Sequence, residues 1–528
     1  VDPHRTAEGH ARWDHSRFAR MALIWLVFSS GVAVMGLEMS ASRLIAPYFG
    51  STLSVWTSLI GLVLIFLTAG YHVGGALADC YASRNLLGGI VIAAGVLTIV
   101  VPIAGKPILE AAWGLMPRIG LLGASLVGTF TLFSVPMVLL GCVCPFAMKL
   151  SIRDLGRTGR TSARIYAVSA LGSVIGTFLP ALLMIDLLGV RRSIMVFGVI
   201  LILAGILFIG RLRALPFLTL ALLLFVPLPP LLATQGVIAQ EESPYNFLQV
   251  VKAGDTRILV VDWGAFSLYT PGRFRTHQYF DYLLLAPLMR PQNPNTWLSD
   301  VLIVGLGSGT ASKQITEAYG ALHIDGIEID PEIVGLGIQH FDMNEPNLNV
   351  HVTDGRAFLG CNDGSYDWVI VDAYQGSDIP FHLITKEFFR QVRAHMRPGG
   401  VLSINIAWWS PDDSELLRRT VATVEAVFPS VYVVQGISDK SGAVLLAGGD
   451  NFSPSPISGN AEALGHKGLI EIAREALATG YPELSLVDGM GAPLTDDNAP
   501  VDKIADRLYR KARIEDYRVQ RAIVSLED

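Results

Sequence analysis

The chain has 528 residues, too many for one ordinary domain, and 51% are hydrophobic against only 16% charged. Its formal net charge of −6 argues against a nucleic-acid partner, which demands a basic face. The four cysteines, Cys80, Cys142, Cys144 and Cys361, form neither a disulfide framework nor a metal-ligand spacing.

The apolar residues are concentrated in one half. Residues 21–235 are mostly apolar, after a tail over 1–20, and residues 236–528 have the composition of a soluble protein. A bilayer crossing needs about 20 apolar residues. Runs of that kind lie near 21–46, 54–78, 86–105, 120–146, 164–187, 192–210 and 215–233, with a shorter interfacial piece at 107–117. The first run is too long for a signal-peptide core and reads as a retained span. Basic residues cluster in the tail (Arg5, Arg12, Arg17, Arg20) and after the fourth run (Lys149, Arg153, Arg157, Arg160, Arg164), which makes both cytoplasmic. The connection Gly74-Gly75-Ala76-Leu77-Ala78-Asp79 with Arg84 is similar to the short cytoplasmic loop of major-facilitator transporters and agrees.

Seven complete crossings would leave the C-terminal half outside. Pro216, Pro227, Pro229 and Pro230 interrupt the last run, so 215–233 is expected to be re-entrant or a broken hairpin. The expected location is the inner or plasma membrane, with the C-terminal half cytoplasmic. Polar residues within spans are candidates for function. Glu38 and Arg43 near the end of the first run form either a structural pair or a polar pocket for a headgroup or polyamine, and Glu38 is taken as a substrate candidate. Gly172, Ser173 and Gly176 mark close helix packing.

From 236 the pattern changes. Phe247 to Val251 and Arg257 to Val261 read as strands of a small β unit over 236–296, turning at Ala253-Gly254-Asp255. Over 297–528 strands and helices alternate. Strands are predicted at 301–305, 323–328, 349–352, 367–372 and 400–406, and helices near 310–320, 331–340, 355–359, 385–396 and 413–426. Two final strands, 430–435 and 442–447, have no helix between them and read as an antiparallel hairpin. The fold class is therefore multidomain: an α-helical membrane bundle of about seven segments, then an α/β methyltransferase-type Rossmann domain with a small β unit before it.

Ligands of such sheets bind at the carboxyl ends of the strands. Four polar features stand there in order: Gly305-Leu306-Gly307-Ser308-Gly309, Glu328, Asp354-Gly355 and Asp372. Glycines admit the ligand close to the backbone, and a carboxylate takes the two ribose hydroxyls. The turn is Gly-x-Gly-x-Gly rather than Gly-x-Gly-x-x-Gly, which favours an AdoMet-type nucleoside over a dinucleotide. His277 and His382 have no neighbours at ligand spacing, so no metal is expected. Trp408 and Trp409 follow the fifth strand, where they either cover a pocket or meet a membrane.

Glu241-Glu242-Ser243-Pro244-Tyr245, the glycine turn, Glu328-Ile329-Asp330, Asp354-Gly355 and Val371-Asp372-Ala373-Tyr374 together resemble the spermidine synthase family over roughly 238–450. Gly36-Leu37-Glu38, Phe49-Gly50-Ser51 and the closing Leu494-Thr495-Asp496-Asp497-Asn498-Ala499-Pro500-Val501 resemble its membrane-fused bacterial branch. That family moves an aminopropyl group from decarboxylated AdoMet to an amine. The resemblance implies Glu328 at the ribose, Asp354 at the adenine amino group, and Gly305, Gly307, Ser308, Gly309, Gly355 and Asn246 around the donor. It implies Asp372, Tyr279 and Gln375 at the reacting amine, and Tyr245, Tyr374 and Asp378 in the acceptor pocket.

This chain also departs from the pattern. Ser308 stands where an Asp usually holds the donor's terminal ammonium, Gln375 replaces a second Asp, Asn246 replaces a Gln, and Tyr279-Phe280-Asp281 replaces Tyr-His-Glu. Three readings follow. One is a membrane-integrated aminopropyltransferase using decarboxylated AdoMet. Another is a methyl or aminocarboxypropyl transferase using intact AdoMet on a lipid or lipophilic amine. The last is a transporter-like sensor without turnover. Expected partners are a small amine or membrane-lipid acceptor and the bilayer; soluble members of the family commonly form oligomers, so a homo-oligomer stays open.

Overall fold

A computed structural model describes residues 17–50, 53–152, 158–210, 212–226, 235–262, 264–373, 380–406, 414–437, 442–478, 483–501 and 504. They fall into two compact units, Val1–Ala233 and Thr234–Asp528.

The first unit is helical: α1 (Arg17–Phe49), α2 (Leu53–Cys80), α3 (Arg84–Gly141), α4 (Val143–Ser151), α5 (Thr158–Leu179) and α6 (Ile185–Ile209). Left-handed glycines, Gly120 at φ 74° and Gly189 at φ 74°, kink α3 and α6. Split at these kinks, six helices are long and apolar enough to cross a membrane: Arg17–Phe49, Val55–Cys80, Arg84–Met116, Arg118–Ser151, Thr158–Met184 and Leu187–Ile209. One expectation changes. Residues 107–117 are not a separate interfacial piece but the end of the third helix, where Leu109, Ala112 and Met116 are buried. The seventh run, expected to be re-entrant or broken, is a 3-10 helix over Leu212–Phe225 with Pro216 inside it, and 227–233 lie outside the described residues. Its Leu218, Leu220, Leu223 and Leu224 pack on Ile99, Met195 and Ile202, so it folds back along α3 and α6.

Small residues set the helix spacing. A Cβ on Gly172 would lie 2.3 Å from the Phe28 carbonyl oxygen, and one on Gly176 2.1 Å from that of Val32, so α5 meets α1 backbone to backbone. Lys149 pairs with Asp79 at 2.7 Å, and the Arg84 guanidinium donates to the Phe208 carbonyl oxygen. The connection between the second and third spans, the end of the fourth and the end of the sixth therefore share one end of the bundle.

The second unit opens with an antiparallel sheet in the order β1 (Val237–Glu242), β2 (Phe247–Ala253), β3 (Thr256–Val261), β4 (Gly264–Tyr269). Alternation fills both faces: Leu248, Val250, Leu259 and Val261 pack on Ile333, Leu336 and Phe341, while Val251, Ile258 and Val260 form the other face.

The main sheet comprises β5 (Asp300–Val304), β6 (His323–Glu328), β7 (Leu348–Val352), β8 (Tyr366–Val371), β9 (Met396–Ile406), β10 (Ser430–Gly436), β11 (Gly442–Gly448) and β12 (Glu483–Ser485). Their order is β12-β10-β11-β9-β8-β5-β6-β7. Strands β5 to β9 are mutually parallel, and β11 is antiparallel to both β9 and β10. The hairpin is thus present, but β12 covers its outer side. Chain direction across the sheet reverses between β5 and β8, the crevice where open α/β sheets take their ligands.

Candidate active site at the switch point

Strand β5 is a buried apolar run, and the turn after it needs left-handed backbone at Gly305 (φ 91°), Gly307 (φ 57°) and Gly309 (φ 84°). Gly305 has a second reason. A Cβ there would lie 2.2 Å from the Asp372 carbonyl oxygen, so only glycine lets the ends of β5 and β8 meet. The Asp372 N–H donates to the Val304 carbonyl oxygen at 2.8 Å, which locks that approach. Gly309 then starts the helix Thr310–Tyr319.

Asp372 is held from both sides. Asn405 Nδ2 donates to its Oδ1 at 2.8 Å, and the Tyr279 hydroxyl donates to its Oδ2 at 3.0 Å. It keeps partial solvent contact. Burial nonetheless pushes its carboxyl up to about 7; the Asn405 and Tyr279 bonds oppose the rise, and the neighbouring Glu328 charge adds to it. Glu328 is 8% exposed. Its Oε2 accepts from the Gly307 N–H at 2.9 Å and its Oε1 from the Asp330 N–H at 3.1 Å. Burial pushes this carboxyl up to about 7 as well, against the pull of those two N–H groups.

Asp354 caps the helix Gly355–Cys361: its Oδ1 accepts from the N–H groups of Arg356 (3.0 Å) and Ala357 (2.9 Å). His382 Nε2 lies 3.1 Å from its Oδ2. Burial acts to raise this carboxyl, but the Ala357 N–H and His382 outweigh it and hold it below the usual range. Gly355 packs on Val304, where a Cβ would lie 2.4 Å from Cγ1.

The structure brings Asp372 and Tyr279 into contact and sets the glycine turn against both Asp372 and Glu328. Asn246 and Tyr245 are tied to the turn Ser243–Asn246, whose Ser243 hydroxyl donates to Asp330 at 2.6 Å. Asn246 Nδ2 donates to the same Asp330 oxygen at 3.1 Å. Among the described residues, Asn246 Oδ1 and the Ser308 hydroxyl are buried without a hydrogen-bond partner. Tyr374, Gln375, Asp378, Trp408 and Trp409 lie outside the described residues. Glu38 belongs to the first unit, buried in α1.

Sequence reasoning did not single out several residues of this site. Asn405 is a polar residue near the end of the buried run Val401–Ile406, which it interrupts together with Ser403, and that break in pattern is its signal. His382 was dismissed as a metal ligand but braces Asp354. Asp281 is fully buried and accepts from the Thr276 N–H (2.9 Å), the His277 N–H (3.0 Å) and Gln314 Nε2 (2.8 Å). It fixes the segment ahead of Tyr279, including His277 at φ 55°.

Residues 277–437 match the family described as spermine/spermidine synthase domain. That stretch of the second unit is similar to the synthase domain. A probable polyamine aminopropyl transferase from Bifidobacterium longum (strain NCC 2705) is 32% identical over 281 residues, 49% of this chain and 60% of that protein. The present chain thus spans less than two thirds of that relative. A polyamine aminopropyltransferase from Vibrio vulnificus (strain CMCP6) is 29% identical, covering 44% of this chain and 79% of its own length. Among solved structures, a probable spermidine synthase from Corynebacterium glutamicum ATCC 13032 overlaps at 19% identity with a TM-score of 0.39, covering 47% of this chain and 90% of its own. That score is too low for the overlap to carry weight. The synthase-family match starts at His277, two residues before Tyr279, and ends at Ile437, beyond β10; it contains the glycine turn, Glu328, Asp354 and Asp372.

Proposed function

We propose that the second unit is an aminopropyltransferase that moves an aminopropyl group from decarboxylated AdoMet to an amine and releases methylthioadenosine. The observation that carries this reading is the Tyr279–Asp372–Asn405 chain at the switch point, beside the glycine turn and Glu328. In this reading Glu328 takes the ribose hydroxyls, Asp354 the adenine amino group, and Gly305, Gly307, Ser308, Gly309, Gly355 and Asn246 surround the donor. Tyr245, Tyr374 and Asp378 line the acceptor side, and Gln375 accepts one amine hydrogen.

The acceptor nitrogen attacks the carbon next to sulfur. A nitrogen–carbon bond forms as the carbon–sulfur bond breaks, and the electron pair of the broken bond leaves on sulfur as a neutral thioether. Asp372 Oδ2 takes the surplus ammonium proton, and a carboxyl near 7 is better suited to hold it than one in the ordinary range. Tyr279 and Asn405 fix the carboxylate plane. The sulfonium is already activated, so orientation supplies much of the rate.

A second reading rests on Ser308. Its buried hydroxyl, unpaired among the described residues, offers no charge to a lone terminal ammonium and suits the zwitterionic tail of intact AdoMet equally well. The product would then be a methylated or aminocarboxypropylated lipid or lipophilic amine. Incubating the purified chain with each donor and either a diamine or membrane lipid separates the two. Methylthioadenosine from the decarboxylated donor with diamine supports the first reading. S-adenosylhomocysteine, or methylthioadenosine from intact AdoMet, overturns it in favour of the second. Nucleoside binding with no product from either donor leaves the sensor.

The first unit is proposed as a multi-pass membrane module of the inner or plasma membrane, with the second unit cytoplasmic. The basis is the six long apolar helices among the described residues, the basic residues at Lys149, Arg160 and Arg164, and the 3-10 segment packed on α3 and α6 in place of a seventh crossing. Protease added to sealed right-side-out vesicles should spare the second unit; its digestion from outside would refute this sidedness.

A further inference from the structure

The closing motif Leu494–Val501 takes no part in the chemistry above, yet the fold carries it to the Asp354 side of the site. Two anchors hold it. Leu494, Val501 and Ile504 form a small buried cluster with Ile384 and Leu416. The Leu494 N–H donates to the Thr423 hydroxyl at 2.9 Å, and the Leu494 carbonyl oxygen accepts from the Lys386 N–H at 2.8 Å. Thr495 and Asn498 exchange backbone hydrogen bonds at 3.2 and 3.0 Å, so the segment between them is a tight loop that presents Asp496.

Asp496 binds Arg356 with both oxygens. Arg356 Nη1 donates to Oδ1 at 2.8 Å and Nη2 to Oδ2 at 2.6 Å. The Thr385 hydroxyl donates to the same Oδ1 at 2.7 Å, and the Asp496 N–H donates to Glu387 Oε2 at 3.1 Å. Arg356 is the second residue of the helix that Asp354 caps, and its own N–H donates to Asp354. Its Nη1 also donates to the carbonyl oxygen of His382, whose ring braces the other oxygen of Asp354. Asp354, His382 and Arg356 form a closed ring, and Asp496, itself held by Thr385, clamps the Arg356 corner from outside. Two-point guanidinium–carboxylate pairs fix geometry as well as distance, and a network holds better than an isolated exposed pair.

We propose that Leu494–Val501 is a latch on the donor site, and that Asp496, acting through Arg356, is a positioning residue that aims Asp354 at the 6-amino group of the nucleoside. This rests on the adenine role given to Asp354 above. The latch reaches the site from a segment 140 residues beyond Arg356, so the C-terminal strap sets the discrimination of the donor's base. It also grips Thr385, which follows closely on 374–379, the stretch that holds Gln375 and Asp378.

The test uses the full chain in detergent, with two variants, Asp496→Asn and Arg356→Lys. Calorimetry gives Kd for methylthioadenosine and for its 6-oxo counterpart, methylthioinosine. The wild type should prefer the 6-amino form. Each variant should bind methylthioadenosine about tenfold more weakly, with the 6-oxo compound shifted less than about twofold, so that the preference shrinks. A general loosening of the fold would weaken both compounds alike, and that result overturns the latch. If Asp496→Asn fails to fold, Arg356→Lys carries the test, since lysine keeps the charge and loses the two-point fork; undiminished preference there overturns the latch while the adenine reading stands. A wild type that binds both nucleosides equally removes the adenine role of Asp354, and the latch with it.

Discussion

The two units use their buried polar groups in opposite ways. In the helical unit several hydroxyls turn back onto their own helix: Ser30 donates to the Leu26 carbonyl oxygen at 2.8 Å, Thr177 to that of Ser173 at 2.9 Å, and Ser193 to that of Gly189 at 2.7 Å. In the second unit several buried groups pair across long stretches of chain: Tyr279 with Asp372, Asn246 with Asp330, Gln314 with Asp281. A helix in hydrocarbon has no water to satisfy a hydroxyl, so the nearest carbonyl takes it, and packing is left to small residues. The crevice at the switch point holds its carboxylates from several directions, and only distant segments supply the partners.

That contrast is broken most strongly at Asp372. Asp372→Asn should lower turnover by about 10³-fold, within the range that loss of a positioned acid–base group brings. Nucleoside affinity should stay within about twofold. Parallel turnover and calorimetry check it; turnover within tenfold of wild type removes Asp372 from the chemistry. In the other unit the sensitive positions are apolar contacts. Gly176→Leu would drive a side chain into the Val32 carbonyl oxygen and should destabilise the bundle by about 1–3 kcal/mol. Thermal unfolding in detergent, read beside nucleoside binding, shows whether the damage stays in the first unit.

Protonation sharpens the same contrast. Asp372 and Glu328 both lie near 7 in the folded unit, above their ordinary 3.8 and 4.5. The folded state therefore holds these protons where the unfolded chain has released them. Their contribution to stability is fully present below about pH 4 and is lost as pH rises toward 7. Glu328→Gln should narrow the difference in melting temperature between pH 5 and pH 8. Turnover per unit of free enzyme should rise through about pH 7 in the wild type, as the carboxylates become free to accept hydrogen bonds. A flat profile between pH 6 and 8 contradicts the raised values. The smallest effect belongs to Lys149→Ala. The Lys149–Asp79 pair is 49% and 69% exposed, and its loss should cost less than about 1 kcal/mol in an unfolding titration.

Local signals made much of this legible. Long apolar runs marked the six helices because crossing length is a property of consecutive residues. Alternation of strand and helix gave the sheet, and the glycine spacing at 305, 307 and 309 gave the turn, because left-handed backbone has a direct residue preference. Strand β12 escaped because it has only three residues, and β1 because it carries Gln240, Glu241 and Glu242 at the rim of its sheet. The prolines of the seventh apolar run marked it as broken, but only packing showed that Leu212–Phe225 is a 3-10 helix lying on α3 and α6.

By itself the sequence determined which residues are candidates for the chemistry: a carboxylate or glycine at a strand's end is set by type and position along the chain. Their partners were a tertiary decision. Asn405 reaches Asp372 because β9 runs parallel to β8 with Ile404 beside Val371; a slip of one residue would turn it to the other face. Tyr279 is 93 residues from Asp372, and Asp496 is 140 from Arg356. No spacing rule links such pairs, because a hydrogen bond depends on where the sheet register and the closing strap bring two atoms.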